Sequence, residues 1–435
     1  MALGSRAMIL AAAAGLALMA GGAVAQTADT QHANEVKRIM DHASYKEALK
    51  FIDGDYDRVI AEGIKLTEIP APPFKEEKRA AAYAQMFKDV GLTDVEIDPE
   101  GNVLGIRKGT AGDGKFVVIS AHLDTVFPEG TDVTVKRQGT KLHAPGIADD
   151  TLSLAINLGY IRAMNAANIQ TKEDVLWVGT VGEEGLGDLR GVRYLFTKGK
   201  YKDKIKAFFT VEGGGVTGIT NGGIGSKRYR VTYAGPGGHS YGAFGLVNPA
   251  YAMAEAISVF SRSLVPAKPK TTFNVGVVTG GTSVNSIPFE VSMEIDMRSE
   301  SDEELKRIEQ RMLAIVQQAA ETENFARSTK EGKITVKAEL IGDRPSGSTA
   351  ESQPIFQLTK AALEANGYKP SYSWSSTDAN MPMSLGIPAL SIGAKGPEKN
   401  GRSHSLDEWA DVEKGPFVKG MNTALIPLLA VTGMP

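Results

Sequence analysis

The chain contains no cysteine. It can form no disulfide, so its stability has to come from core size and bound ions. Any metal must be held by histidine, aspartate and glutamate, which narrows the chemistry to nitrogen and oxygen donors. A dominant charge is also missing. Against 48 lysines and arginines stand 51 acidic residues, a formal net charge of −3. With no long basic run, nothing recruits nucleic acid or an anionic membrane electrostatically. Beyond the N-terminus no segment is long and apolar enough to cross a bilayer. No internal repeat is present. Histidine is scarce, with only six: His32, His42, His122, His143, His239 and His404.

What is there begins with an N-terminal pattern. Arg6 precedes an apolar run from Met8 to Ala20, and Ala23 and Ala25 fit the small-x-small rule for signal peptidase. Residues 1–25 therefore read as a secretory signal cleaved after Ala25, which predicts a periplasmic or secreted protein with no membrane contact after cleavage. The alternative is a membrane anchor, for which the apolar run is short. The remaining length, with 42% hydrophobic residues, suggests two or three structural units.

The stretch from Gln26 to Asn34 is polar and reads as loose. Helical spacing runs from Glu35 to Glu62 and again from Glu76 to Val90, separated by the breaker Ile69-Pro70-Ala71-Pro72-Pro73. Apolar runs at Lys115–Ser120, Asp174–Val181 and Ala207–Val211 alternate with helical stretches at Asp150–Ala166 and Arg190–Phe196. That pattern predicts an α/β fold with a largely parallel sheet. From 225 to 341 the order becomes β-α-β-β-α-β, as in a ferredoxin-like α+β domain. It reads as an insertion into a catalytic domain made of residues 26–224 and 342–435.

His122 directly follows the first buried strand, and Asp124, two residues on, can accept its second ring N–H. Asp149 and Asp150 open a helix after a Gly146-containing turn. Glu183 and Glu184 follow the second buried strand, so one can bind metal while the other faces a bound water. Glu212 follows the third, and His404 lies in a late loop. Taken singly, each has a bland explanation: a turn Asp, an N-cap, a solvated pair, a loop carboxylate, an exposed loop His. Together they fall at the strand ends where open α/β sheets build sites. His122, Asp149, Glu184, Glu212 and His404 suffice for two metals sharing one Asp. Two zinc ions at about +4 would balance roughly −3 from carboxylates and −1 from a hydroxide.

The segments SAHLDTV, APGIADD, GTVGEEG, VEGGG, GPGGHS, VNSIP, DMR, STDA and GRSHS occur in this order. As a set they resemble the dinuclear zinc exopeptidases and amidohydrolases, a family that includes glutamate carboxypeptidase, peptidase T, the aminoacylases and the desuccinylases. The similarity extends from Glu68 to the C-terminus. It implies that Asp149 bridges two Zn2+ beside a cis peptide to Asp150. His122 and Glu212 would complete one zinc site, Glu184 and His404 the other. Cobalt or manganese would suit the same donors. Glu183 would be the general base, and Asp124 would orient His122. The inserted domain would be the lid, often also a homodimer interface. Its His239 would stabilise the oxyanion, and its Asn285 and Arg298 would hold substrate. Ser376, Thr377 and Asp378 would shape the pocket, and Arg402 is a second candidate for a substrate carboxylate. His143 has no implied role and reads as structural, whereas His32 and His42, in the N-terminal helical region, read as merely exposed.

The implied substrate is a small peptide or N-acyl amino acid. Carboxypeptidase-like action leads. An N-acyl amino acid amidase or deacylase, or an aminopeptidase or dipeptidase of the peptidase T type, shares the same chemistry. A non-catalytic periplasmic binding protein on an inactive scaffold is the alternative of a different class. It would have lost a ligand or the base, and here all are present.

Overall fold

The computed structural model describes residues 30–396 and 401–435. The signal expected at 1–25 lies outside the described residues. Residues 30–41 are already helical, so the loose stretch expected up to Asn34 is shorter than the sequence suggests. The helix expected from Glu35 to Glu62 is in fact broken at His42. The His42 imidazole accepts a hydrogen bond from the Ser44 N–H at 3.2 Å and caps the next helix, Ala43–Thr67. His42, read from sequence as merely exposed, is thus an N-cap.

A nine-stranded mixed sheet organises the larger domain. At its heart four adjacent strands run parallel: Asp174–Thr180, Phe116–His122, Ile205–Val211 and Ala389–Ile392. Antiparallel strands flank them on both sides, Val103–Arg107 and Gly218–Gly223. The parallel strands read as unbroken apolar runs because helices cover both faces. Val117, Ile119 and Ala121 point into one core, against helices Ala43–Thr67, Leu152–Ala166 and Lys414–Val431. Phe116 and Val118 point into the other, against helix Arg190–Thr197 and the short helix Asn380–Ser384. Each large apolar side chain so buried contributes roughly 1.5–3 kcal/mol.

The lid follows the predicted element order. Its antiparallel sheet is ordered Thr271–Gly280, Glu290–Ser299, Gly225–Ala234, Thr335–Arg344. Helices Pro249–Phe260 and Asp302–Ala326 share an apolar core with one face of it. Side chains cap both: Asn248 accepts from the Ala250 N–H at 2.9 Å, and Ser301 from that of Glu304 at 3.4 Å. The last strand runs to Arg344, past the boundary expected at 341. Among the described residues no helix is long and apolar enough to cross a membrane.

One buried cation ties this framework to the strand end at His122. Arg79 is fully buried and donates to three carbonyls: Leu123 at 2.6 Å, Ile69 at 2.7 Å and Thr67 at 3.4 Å. It thereby pins the Pro-rich breaker to the residue after His122. Burial pushes its guanidinium down to about 10, against the pull of Asp124 and Glu76. A buried carbonyl left without a donor costs about 1–3 kcal/mol, so Arg79→Leu should lower the unfolding free energy by roughly 3 kcal/mol. Urea unfolding measures this, and an unchanged midpoint would mean that those carbonyls do not depend on Arg79.

Candidate metal centre

The parallel strands deliver His122, Glu183–Glu184 and Glu212 to one edge of the sheet: His122 ends its strand, Glu212 directly follows Val211, and Glu183–Glu184 lie just beyond the strand that ends at Thr180. Asp149 arrives by a different route. After the left-handed Gly146 (φ 84°), a turn through Ile147–Thr151, in which Asp149 and Asp150 have extended, non-helical φ, leads into the helix Leu152–Ala166. A side chain at Gly146 would meet Thr125 at 2.7 Å, so the turn requires glycine there. The Asp149–Asp150 peptide is cis. His404, also left-handed (φ 57°), comes from the late loop and reaches the same point.

These residues form a chain of contacts. His122 Nε2 lies 2.9 Å from Asp149 Oδ1. The other Asp149 oxygen lies 3.2 Å from His404 Nε2, which is also 2.9 Å from Glu184 Oε1. Asp149 therefore stands between the two imidazoles with one oxygen toward each. Donor atoms of His122, Asp149 and Glu184 all lie within 4.8 Å of one another. Glu212 Oε2 is buried near them with no hydrogen-bond partner.

Electrostatics explains what such a cluster needs. Burial pushes Glu183 well above the usual carboxylate range, and the neighbouring charge of Glu184 adds to it. Glu212 is pushed up likewise, by burial and then by Glu183. Burial opposes ionisation of Asp149 too, but hydrogen bonds to His122 and His404 hold it far below its ordinary value. Those to Asp149 and Glu184 raise His404 to about 10. Carboxylates crowded out of water in this way are relieved by a cation. The orphaned Glu212 oxygen, the divided Asp149 carboxylate and the His/Asp/Glu donor set fit divalent metal, and zinc among them.

The surroundings fix the ligands in place. The Asp124 carboxylate accepts the N–H groups of Glu183 at 3.0 Å and Glu184 at 2.8 Å. Its expected role changes accordingly. The second nitrogen of His122 meets the Asp124 main-chain carbonyl at 3.0 Å, and the carboxylate is farther, at 3.7 Å. The carboxylate is committed to the Glu183–Glu184 backbone, so the carbonyl orients the ring instead.

Sequence reasoning missed other supports. Glu408, fully buried, accepts the N–H groups of Ala148 at 2.8 Å and Asp149 at 3.1 Å. It joins the His404 loop to the Asp149 turn. Lys395 lies 3.2 Å from Asp150 Oδ1 and donates to the Ala148 carbonyl. A lone lysine just past the buried strand Ala389–Ile392 follows the same strand-end rule and could have been found by it. Arg344, 4% exposed, lies 3.4 Å from Glu183 Oε1.

The remaining candidates have other partners. Asp378 is fully buried, with Thr180 donating to it, and burial pushes it up to about 6. Its other carboxylate oxygen is buried without a hydrogen-bond partner among the described residues. Its neighbours Ser376 and Thr377 are close by, and Ser376 contacts Arg344 at 3.1 Å. Arg402 is exposed and pairs with Asp407 at 2.6 Å. In the lid, Arg298 pairs with Asp296 at 2.7 Å. His239 lies on a two-stranded ribbon with Ser286, next to Asn285, and its imidazole accepts from the Tyr241 N–H at 3.2 Å. Neither His239 nor Asn285 bonds to the metal-site cluster among the described residues. His143 pairs in a small sheet with Lys136 and Trp409. Removing an outer support of a metal ligand typically costs 10–100-fold in metal affinity. Glu408→Ala should weaken divalent-metal binding by about that factor, measured with zinc as the probe by competition against a fluorescent chelator. Wild-type affinity in the variant would show that Asp149 is held without it.

Known proteins share this fold. The profile described as Peptidase family M20/M25/M40 matches residues 118–424, well over half of the chain. The uncharacterised protein YqjE of Bacillus subtilis (strain 168) is 24% identical over 354 residues, covering 77% of this chain and 89% of its own. Among solved structures, aminopeptidase PepT from Bacillus cereus ATCC 10987 superposes with a TM-score of 0.68 at 20% identity, over 87% of this chain and 98% of its own. YxeP of Bacillus subtilis, described as a dinuclear metal binding peptidase, does so with 0.62 at 17%, over 87% and 99%. These likenesses agree on the fold, and the extent of the profile match makes this chain a member of Peptidase family M20/M25/M40, the metallopeptidases.

Proposed function

We propose that this protein is a dinuclear zinc exopeptidase acting on small peptides, with carboxypeptidase-like specificity. The observation that carries the reading is the linked set His122, Asp149, His404 and Glu184, with Glu212 unpaired and Glu183 beside it. In this reading Asp149 would be shared by the two zinc ions, with His122 and Glu212 completing one site and Glu184 and His404 the other. When bound, the pair supplies Lewis-acid polarisation of the scissile carbonyl and a lowered pKa for water. Cobalt or manganese would serve the same donors.

The chain's own residues do the rest. Glu183 takes the proton of the attacking water and delivers it to the leaving amine. Its pKa, raised by burial, suits a group that must both accept and return a proton. His239 is exposed on the lid, and lid closure brings it, from this subunit or a partner's, to the developing oxyanion. Asn285 shares its ribbon and helps to seat the substrate. Arg298 and Arg402 keep exposed guanidinium groups, each paired with a neighbouring aspartate, and either can exchange that partner for a substrate carboxylate. This supports recognition of a free C-terminus. N-acyl amino acids present the same carboxylate and are the nearest alternative substrates. The likeness to PepT supports a second reading, aminopeptidase action.

Two further parts of the reading concern context. Export rests on the Arg6 to Ala25 pattern and places the enzyme in the periplasm or outside the cell. A homodimer through the lid would pair the free edge strand Thr271–Gly280, where Val277 and Val278 are 44% and 55% exposed.

Chelation should abolish peptide release and added zinc restore it, with about two zincs bound per chain by elemental analysis. Glu183→Gln should keep the metal and lose about 10²–10⁴ in kcat, the usual weight of a general base. A variant with wild-type turnover would remove Glu183 from that role. Arg402→Ala and Arg298→Ala should raise KM about tenfold for free-carboxylate peptides and leave C-terminally amidated ones unchanged, the loss of a charged hydrogen bond. If blocking the N-terminus instead of the C-terminus stops cleavage, the aminopeptidase reading takes over.

A further inference from the structure

The two lid strands that cross between the domains both end on the Glu183–Gly185 segment. Arg228, near the start of strand Gly225–Ala234, donates to the Gly185 carbonyl at 2.8 Å. Arg344 closes strand Thr335–Arg344 and is 4% exposed. Its Nη1 lies 3.4 Å from Glu183 Oε1 and 3.1 Å from Ser376 Oγ. Its Nη2 donates to the Glu183 carbonyl and reaches that of Gly185 at 3.4 Å. The preceding residue is clamped as well. The Asp343 N–H bonds to the Asp188 carboxylate at 2.9 and 3.0 Å, and Arg193 donates to the Asp343 carbonyl. Asp188 and Leu189 are both left-handed (φ 55° and 60°), which turns that carboxylate back toward the strand end.

We infer that Arg344 is a positioning residue that transmits the setting of the lid to the Glu183 carboxylate. The inference rests on the hydrolase reading for the role of Glu183. A guanidinium is a rigid planar fork, so it cannot follow a moving carboxylate as a flexible ammonium can. With its stem fixed at the end of a lid strand, its contacts shift when the lid turns. At 3.4 Å the side-chain contact is long for a charge-assisted hydrogen bond, whereas contact to the Glu183 backbone is already made. Closure of the lid shortens the side-chain contact and brings the base to its working position, so proton transfer is efficient only when the lid, and hence substrate, is in place.

The test uses the zinc-loaded mature protein with Arg344→Lys and Arg344→Ala. A misplacement of about 1 Å can cost on the order of 10²-fold in rate. We expect kcat to fall at least about tenfold in the lysine variant and further in the alanine variant, with KM changed less than about threefold. Zinc content and melting temperature of the lysine variant stay at wild-type values, whereas a merely structural role would lower them along with kcat. Hydrogen exchange at residues 183–185 should quicken in both variants. Wild-type kcat and wild-type exchange in the variants overturn the inference, and if the alanine variant does not fold, the lysine variant decides alone. If the wild-type protein cleaves nothing, the hydrolase reading falls separately. Exchange at 183–185 then settles the linkage, kept if it quickens and discarded if it does not.

Discussion

Like charges brought together out of water are the constraint on which this structure depends. Asp124, Glu183 and Glu184 are buried at one sheet edge, with Asp149 and Glu212 beside them. A domain of this size has a net stability of only about 5–15 kcal/mol, so it cannot leave such groups uncompensated. Some relief is built in, through the two imidazoles, the buried Arg344 and the backbone N–H groups given to Asp124 and Glu408. Glu212 receives none at its buried oxygen, and the largest relief has to come from cations. A chain without cysteine holds such cations with the donor types gathered here.

The surrounding architecture follows from keeping that edge both rigid and reachable. The parallel strands are buried on both faces and bring His122 and Glu212 to the edge directly, while Glu183–Glu184, just beyond their strand, are held by the Asp124 carboxylate and Arg344. Asp149 and His404 come from turns, and turns are softer. They are stiffened by Glu408, which bonds to the Asp149 turn from the loop that carries His404. The lid has its own core and meets the site through the ends of two strands.

Some features were legible in the sequence because they are local. Apolar runs marked the parallel strands to within a residue or two, and the lid's alternation marked its element order. The strand-end rule found His122, Glu184 and Glu212, since a residue that follows a buried strand has nowhere to go but the sheet edge. The ordered set of segments identified the family. Less legible was anything that depends on a distant partner. The break at His42 was hidden because histidine is an uncommon cap. Asp124 was assigned to the ring of His122 because the nearer competitor, the N–H groups of Glu183 and Glu184, is 59 and 60 residues away. Asp378 was read as a pocket residue because its loop is polar, and the hydrogen bond it accepts from Thr180 was not visible because Thr180 is 198 residues away.

By itself the sequence determined the fold class, the lid's order and the donor types available for metal. Periodicity and composition act over short stretches, and those properties are short-range. Tertiary structure alone decided which oxygen of Asp149 faces which histidine, that Glu408 and Lys395 hold the Asp149 turn, and that Arg344 reaches Glu183. These are contacts between segments far apart in the chain, fixed by where a buried charge finds its nearest partner, and no local pattern carries that information.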